Sequence, residues 1–323
     1  MRFTKMQGAG NDYIYVDCFR ERLTTDPSTL ALRITDRHFG VGADGLVLIG
    51  PSDSADARMR MFNADGSEAE MCGNALRCVA RYLYDHGRSR CRYSVIETGR
   101  GLLRAELDIV DGHVENVRVS MGRPIFDPRE IPVRLPGTPP IDAVLYVCGT
   151  TVRVTCVSMG NPHCVVFSDD PGDLLVRTLG RALEVHPAFP QRTNVAFVTC
   201  TASDRLRVRV WERGTGETLA CGTGACAATV AAAVCGRAGR TVRVSMRGGD
   251  LDVDWQECGD VVLGGNVAEV FRGEWIDLGE RPIETNRQQA RSGGFQALAL
   301  LAGQRSHSPD LRHSLVYGPG LSR

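Results

Sequence analysis

Lysine is almost missing from this chain. Of 38 basic residues in 323, only Lys5 is a lysine; the remainder (38 − 1 = 37) are arginines. Pyridoxal phosphate enzymes need a lysine amine for the internal Schiff base. Lys5 falls on what reads as the first strand, outside any phosphate-binding loop, so amino-acid chemistry through that cofactor is disfavoured. Net charge is missing too: the formal sum is zero, which supplies no basic face for nucleic acid and no polybasic tract for a membrane. No apolar run reaches the length of a membrane span. Met1-Arg-Phe-Thr-Lys5 lacks the apolar stretch of a signal peptide. The expectation is a cytoplasmic protein. Cys-x-x-Cys pairs and zinc-like Cys/His spacings are absent, and neither a P-loop nor a complete dinucleotide fingerprint occurs. The glycines of Gly214-Thr-Gly-Glu and Gly222-Thr-Gly carry only a weak nucleotide signal. No metal and no cofactor are expected.

What remains is an ordinary soluble composition, 43% hydrophobic and 24% charged, with room for two domains. Twelve cysteines are scattered along it, most of them expected as small buried side chains in a reducing compartment, Cys78, Cys226 and Cys235 among them. Two segments are spaced copies. One reads Met59-Arg-Met-Phe-Asn-Ala-Asp-Gly-Ser-Glu-Ala-Glu-Met-Cys72-Gly-Asn. The other reads Val208-Arg-Val-Trp-Glu-Arg-Gly-Thr-Gly-Glu-Thr-Leu-Ala-Cys221-Gly-Thr. Cys72 and Cys221 are 149 apart (221 − 72), as are Asn63 and Glu212, and Glu68 and Glu217. Gly10-Asn11 and Gly160-Asn161 repeat at 150 (160 − 10). Two matches at almost one offset indicate internal duplication.

Residues 2–17 read as strand, glycine-rich turn over Gln7 to Asp12, and strand; Val152 to Phe167 repeats that pattern around Gly160-Asn-Pro-His. Helices are expected over 74–84 and over 223–234. The second is apolar on nearly every side and should be buried. Gly122-Arg-Pro-Ile-Phe-Asp-Pro reads as a crossover between halves and Leu135-Pro-Gly-Thr-Pro-Pro as a surface loop. The expected fold class is α/β (α+β): two pseudo-symmetric domains, each a mostly antiparallel barrel-like sheet around a central helix, with the active site in the cleft between them. The domains are expected at 1–121 plus 267–276, where a strand returns to the first half, and at 122–266. Residues 277–323, rich in Arg, Ser, Gly and Gln, read as a mobile tail with one short helix.

Each Cys-Gly pair opens a helix. Unpaired N–H groups at a helix N-terminus bind a carboxylate and stabilise a thiolate, and glycine lets a ligand approach the backbone. Two such mouths facing one another would hold an amino-acid carboxylate on the N–H groups of Gly73, Asn74, Gly222 and Thr223, with one sulfur on either side of its α-carbon. One thiolate as base and one thiol as acid, exchanging roles in the reverse direction, is the minimum equipment of a racemase. Proximity of the sulfurs discourages a second negative charge.

The chain resembles the diaminopimelate epimerase family over about residues 1 to 276. Seven ordered motifs carry the resemblance: Lys5-Met-Gln-Gly-Ala-Gly-Asn-Asp, Gly42-Ala-Asp-Gly-Leu, Phe62-Asn-Ala-Asp-Gly-Ser-Glu, Cys72-Gly-Asn-Ala-Leu-Arg-Cys, Gly160-Asn-Pro-His-Cys, Arg192-Thr-Asn-Val-Ala and Trp211-Glu-Arg-Gly-Thr-Gly-Glu-Thr-Leu-Ala-Cys-Gly-Thr-Gly. The resemblance implies cofactor-independent interconversion of LL- and meso-diaminopimelate, in lysine and peptidoglycan precursor biosynthesis, with Cys72 and Cys221 as acid–base pair. It further implies Asn11, Asn63, Asn161, Asn194, Glu212 and Arg213 as substrate contacts, and His163 and Glu212 as groups that tune the thiols. A homodimer is implied, with Phe271 where the family places a dimer-contact tyrosine. Many members have a substrate-contacting glutamine where this chain has Gly45.

Plainer alternatives accompany several of these residues. Asn11 and its Gly-Asn turn serve only their own backbone, His163 caps a strand end, or Glu212 and Arg213 form a solvated ion pair. Two other readings of the whole chain stay open: a proline or hydroxyproline type racemase, and a ligand-binding or redox-sensing protein whose Cys72 and Cys221 close as a disulfide.

Overall fold

Two helices of equal length begin on the two Cys-Gly pairs: α2 spans Gly73–Asp85 and α4 spans Gly222–Val234. Cys72 and Cys221 are their N-caps and adopt nearly the same extended backbone, φ −136°, ψ 125° and φ −136°, ψ 111°. The carbonyl of each accepts the first helical bond, from Leu76 N and Ala225 N, both at 2.9 Å. Both helices start one residue earlier than the periodicity predicts, because glycine follows the cap directly. The computed structural model describes residues 1–276; the expected tail at 277–323 and its helix lie outside the described residues.

Strands surround the two helices in the same order twice. The first half contains β1 (Arg2–Gly8), β2 (Asn11–Asp17), α1 (Pro27–Ile34), β3 (Gly45–Gly50), β4 (Ala57–Asn63) and β5 (Glu68–Ala69). After α2 come β6 (Tyr93–Thr98), β7 (Gly101–Val110) and β8 (His113–Ser120). A short β9 (Ala143–Val147) precedes the second half: β10 (Thr150–Ser158), β11 (Pro162–Phe167), α3 (Asp173–Glu184), β12 (Asn194–Ala202), β13 (Arg205–Glu212) and β14 (Gly216–Thr218). After α4 follow β15 (Thr241–Met246), β16 (Gly249–Trp255), β17 (Val261–Gly265) and β18 (Val267–Glu274).

The pairings repeat as well. β2–β3 and β4–β6 are parallel, and so are their counterparts β11–β12 and β13–β15; every other pairing is antiparallel. The halves join where β17 pairs with β8 and where β18 returns to β1, Arg2 opposite Glu274. The duplicated segments even share an ion pair. Arg60 grips Glu68 at 2.8 and 2.9 Å, and Arg209 (60 + 149) grips Glu217 at 2.8 and 2.7 Å. Each clamps the strand entering the glycine turn ahead of the cysteine to the short strand that leaves that turn. The fold is therefore mixed α/β, mostly sheet, with two barrel-like halves.

Burial explains why α4 needs no polar face. β10 to β13 and β15 to β17 pack around it, and its residues 224 to 232 are all buried. Helix α2 is enclosed likewise by β1, β6, β7, β8 and β18. Two details differ from the sequence reading. The first turn is shorter than predicted: only Ala9 and Gly10, both at positive φ (53° and 79°), separate β1 from β2. Asn11 therefore opens a strand instead of sitting in a loop. Helices α1 and α3 were not anticipated, although Asp26 caps the first by accepting from Thr29 N at 3.1 Å and Pro27 occupies its first turn.

Candidate active site

The two helix mouths meet around Leu263 of β17. A methyl group placed on Gly73 would lie 3.2 Å from Leu263 Cδ2, and one on Gly222 2.9 Å from the same atom. The Gly222 methyl would also stand 3.6 Å from Asn74 Oδ1, across the boundary between halves. A larger residue at either position would press on the ends of Leu263 and, at Gly73, Met121; with glycine both N-termini present bare backbone to a common space.

Around Cys72 the polar groups form a chain. Asp44 Oδ2 accepts from Asn11 Nδ2 at 2.7 Å and from Asp12 N at 3.1 Å. Arg37 holds that carboxylate at 2.9 Å and Asp12 at 2.9 Å; Lys5 also pairs with Asp12, at 2.7 Å. With its nitrogen held by Asp44, Asn11 turns its oxygen to Cys72 Sγ at 3.6 Å and to Asn74 Nδ2 at 3.3 Å. Tyr13 Oη lies 3.8 Å from Cys72 Sγ, on the donor side. The Asn11 side chain thus does more than serve its own turn.

The second half answers with different chemistry. Asn161 Nδ2 donates to Thr223 Oγ1 at 3.3 Å, and Thr223 Oγ1 stands 3.5 Å from Cys221 Sγ. His163 is fully buried and its Nε2 faces Asn161 Oδ1 at 3.0 Å. It therefore reaches Cys221 only through Asn161 and Thr223. Asn194 is buried, donates to the Pro162 carbonyl at 2.9 Å and accepts from Arg213 N at 2.9 Å. Glu212 accepts from Thr218 Oγ1 at 2.6 Å, and Arg213 Nη1 donates to the Gln191 carbonyl at 3.1 Å. Among the described residues these two side chains do not pair with each other, which leaves both charges for a ligand. Asn63 stands apart: its Nδ2 donates to Ser67 Oγ at 3.0 Å within its own turn.

The electrostatics separate the sulfurs. Burial pushes both thiols up and the Glu212 charge adds to the rise at each; Cys221 rises further, Glu212 being its largest cause after burial. Backbone N–H groups of Ala75 and Asn74 and the Tyr13 hydroxyl oppose the rise at Cys72. Burial also raises the Glu212 carboxyl. His163 is pushed down to about 3 by burial and by the Arg213 charge.

That depression sets a stability test. Between about pH 6.5 and 3 the unfolded chain binds a proton at His163 and the folded chain does not, so stability falls on acidification through that window. The slope is at most about 1.4 kcal/mol per pH unit for one group. His163→Gln should flatten the acid side of a melting-temperature profile. An unchanged profile would show that His163 ionises freely in the fold.

Two residues near the site carried no signal in sequence. Arg77 is wholly buried on α2, donates to Asn74 Oδ1 at 2.6 Å and packs against Gly8 and Gly265. Among the described residues no carboxylate pairs with it, and its Nε and Nη1 have no hydrogen-bond partner. Leu263 is the other.

Comparison with known proteins shows the family. The family model described as diaminopimelate epimerase matches residues 3–126 and 155–270. The chain is 51% identical over 276 residues to a diaminopimelate epimerase of Pelotomaculum thermopropionicum, covering 85% of this chain and 99% of that protein. It is 48% identical over 276 residues to one of Leptospira biflexa, covering 85% and 98%. Among solved structures, a PhzF-family phenazine biosynthesis protein of Bacillus anthracis shares the fold at TM-score 0.61 and 16% identity, covering 85% of this chain and 99% of that one. A hydroxyproline epimerase of Agrobacterium vitis does so at 0.58 and 17%, covering 84% and 91%. The chain belongs to the diaminopimelate epimerase family, whose members are isomerases.

Proposed function

We propose that this chain converts LL-diaminopimelate to the meso form without a cofactor, Cys72 and Cys221 acting as base and acid on opposite faces of one α-carbon. The observation that carries the reading is the pair of cysteine-capped helices whose mouths meet across Leu263. Burial raises both thiols and raises Cys221 further, so of the two Cys72 is the better placed to act as base and Cys221 as acid. The substrate carboxylate lies on the N–H groups of Gly73, Asn74, Gly222 and Thr223. Negative charge that develops as the α-proton leaves falls against the same two helix ends. Cys221 then delivers its proton to the other face, and the stereocentre inverts.

The second amino-acid centre of the substrate is held by Arg213 through its carboxylate and by Glu212 through its ammonium. Asn11, Asn63, Asn161 and Asn194 complete the shell. A related racemase of the proline or hydroxyproline type would have no use for that charged pair. The domains are assigned as 1–121 with 267–276, and 122–266, in keeping with the return of β18 to β1. A cytoplasmic homodimer making lysine and peptidoglycan precursors completes the reading, with Phe271, half exposed and set edge-on to Phe3 at 5.9 Å, as its proposed contact.

The test is incorporation of solvent deuterium at the α-carbon of LL-diaminopimelate, under reducing conditions and with no cofactor added. Exchange is expected on diaminopimelate and not on proline. Exchange confined to proline would assign the site to the other chemistry.

A further inference from the structure

The duplication assigns partners that neither half reveals alone. Tyr13 and His163 are 150 apart (163 − 13), and each stands two residues after an asparagine of the site, Asn11 or Asn161. Each also pairs with its parallel neighbour at the matching position. Tyr13 lies opposite Gly45 on β3, and His163 lies opposite Asn194 on β12. Gly45 is therefore the counterpart of Asn194. The second half has a small ring beside a polar side chain; the first has a larger ring beside no side chain.

The space shows why. A methyl group on Gly45 would stand 2.8 Å from Tyr13 Cε1 and would run into the Phe62 carbonyl oxygen. The Tyr13 ring has taken the room that a side chain at position 45 would need. Its hydroxyl ends 3.8 Å from Cys72 Sγ. We propose that Tyr13 is a further catalytic residue, a hydrogen-bond donor to the Cys72 thiolate that stands in for the polar contact Gly45 lacks. This proposal rests on the two-thiol reading above.

The step moves no electrons and transfers no proton to or from the tyrosine. When Cys72 carries its proton, the S–H donates to Asn11 Oδ1 at 3.6 Å. When that proton is gone, the sulfur accepts from Tyr13 O–H and from the N–H groups of Asn74 and Ala75. Burial holds the Tyr13 phenol well above its ordinary range, so it stays a donor wherever Cys72 ionises. The oxygen of Asn11, fixed by Asp44, favours the thiol; the hydroxyl of Tyr13 favours the thiolate. Cys72 is set between two partners, one for each of its protonation states.

Several other groups face this sulfur. Tyr15 from β2, Glu212 from β13, Cys221 at the mouth of α4, and Arg77 and Cys78 on its own helix all act on its charge. Each is unchanged in Tyr13→Phe, which keeps the ring and removes only the donor.

The experiment measures iodoacetamide alkylation of the full chain against pH, with the Cys72 and Cys221 peptides quantified separately by mass spectrometry. In Tyr13→Phe, alkylation of Cys72 at pH 8 should fall roughly tenfold, as expected for loss of one hydrogen bond to a charged group, while Cys221 changes less than about twofold. The turnover number should fall by a similar factor with KM nearly constant, because the bond forms to the reacting sulfur and not to bound substrate. Site-specific 3-fluorotyrosine at position 13 is a stronger donor of the same shape and should move the Cys72 midpoint the opposite way. Cys72 alkylation that ignores both changes would overturn the proposal. Cys72→Ala separates it from the two-thiol reading. If that variant still inverts LL-diaminopimelate, the mechanism falls; if it does not while Tyr13→Phe alkylates normally, only the role of Tyr13 falls.

Discussion

Alanine at either Cys72 or Cys221 is expected to reduce epimerisation of LL-diaminopimelate by about 10³-fold or more, the scale of losing a positioned acid or base. Each direction of inversion needs one sulfur to take a proton and the other to give one, so neither can be spared. The double variant should incorporate no solvent deuterium above the uncatalysed rate. Single serine variants add a finer test. Serine at Cys221 cannot readily give up a proton to the carbanion, yet Cys72 can still remove one and return it to the same face. Exchange without inversion is the expected signature, and its absence in both serine variants would argue against two separate bases. Comparable exchange in the double alanine variant would sink the mechanism outright.

Glu212→Gln should move two observables in opposite directions. Glu212 stands beside Cys221 and raises that thiol by like charge on top of burial. Removing the charge lowers the thiol, so at pH 8 more of Cys221 is thiolate and its alkylation accelerates. Catalysis should nonetheless decline by roughly 10- to 100-fold, since a charged hydrogen bond contributes about 1.5–3 kcal/mol and the substrate ammonium loses its acceptor. Thr218, which donates to Glu212 at 2.6 Å, can still be accommodated by the amide oxygen, so the turn should hold. Slower alkylation together with slower catalysis would mean that Glu212 acts on the packing of the turn and not on the sulfur.

Much of this site was legible because the sequence is written twice. The matching offsets of Cys72, Asn63 and Glu68 announced a repeated topology, and cysteine followed by glycine marked both helix mouths to within one residue. Asn11 and Asn161 emerged from the same register. The contributions of Tyr13, Asp44 and Leu263 did not, because each acts across the sheet on residues remote in the chain. Tyr13 reads as an ordinary strand aromatic until Gly45 is seen beneath it. Similarly, His163 was expected to tune a thiol; the hydrogen-bonded path from it through Asn161 to Thr223, beside Cys221, is one that spacing alone does not reveal. The missed helices have another cause. Asp26 with Pro27 was a start signal, and 173–184 carried a helical apolar pattern, but neither segment belonged to the repeat that drew the eye.

Only Asn266 separates β17 from β18, so one continuous run of chain leaves the sheet of the second half and enters that of the first. Any rotation of one half against the other has to be absorbed there, and in the crossover after β8. Leu263, against which both helix mouths pack, lies three residues from that pivot (266 − 263). Displacement grows with distance from an axis, and Leu263, with both helix mouths against it, stands close to this one in the chain. A rotation about that point would move the outer walls of the halves further than the two helix mouths.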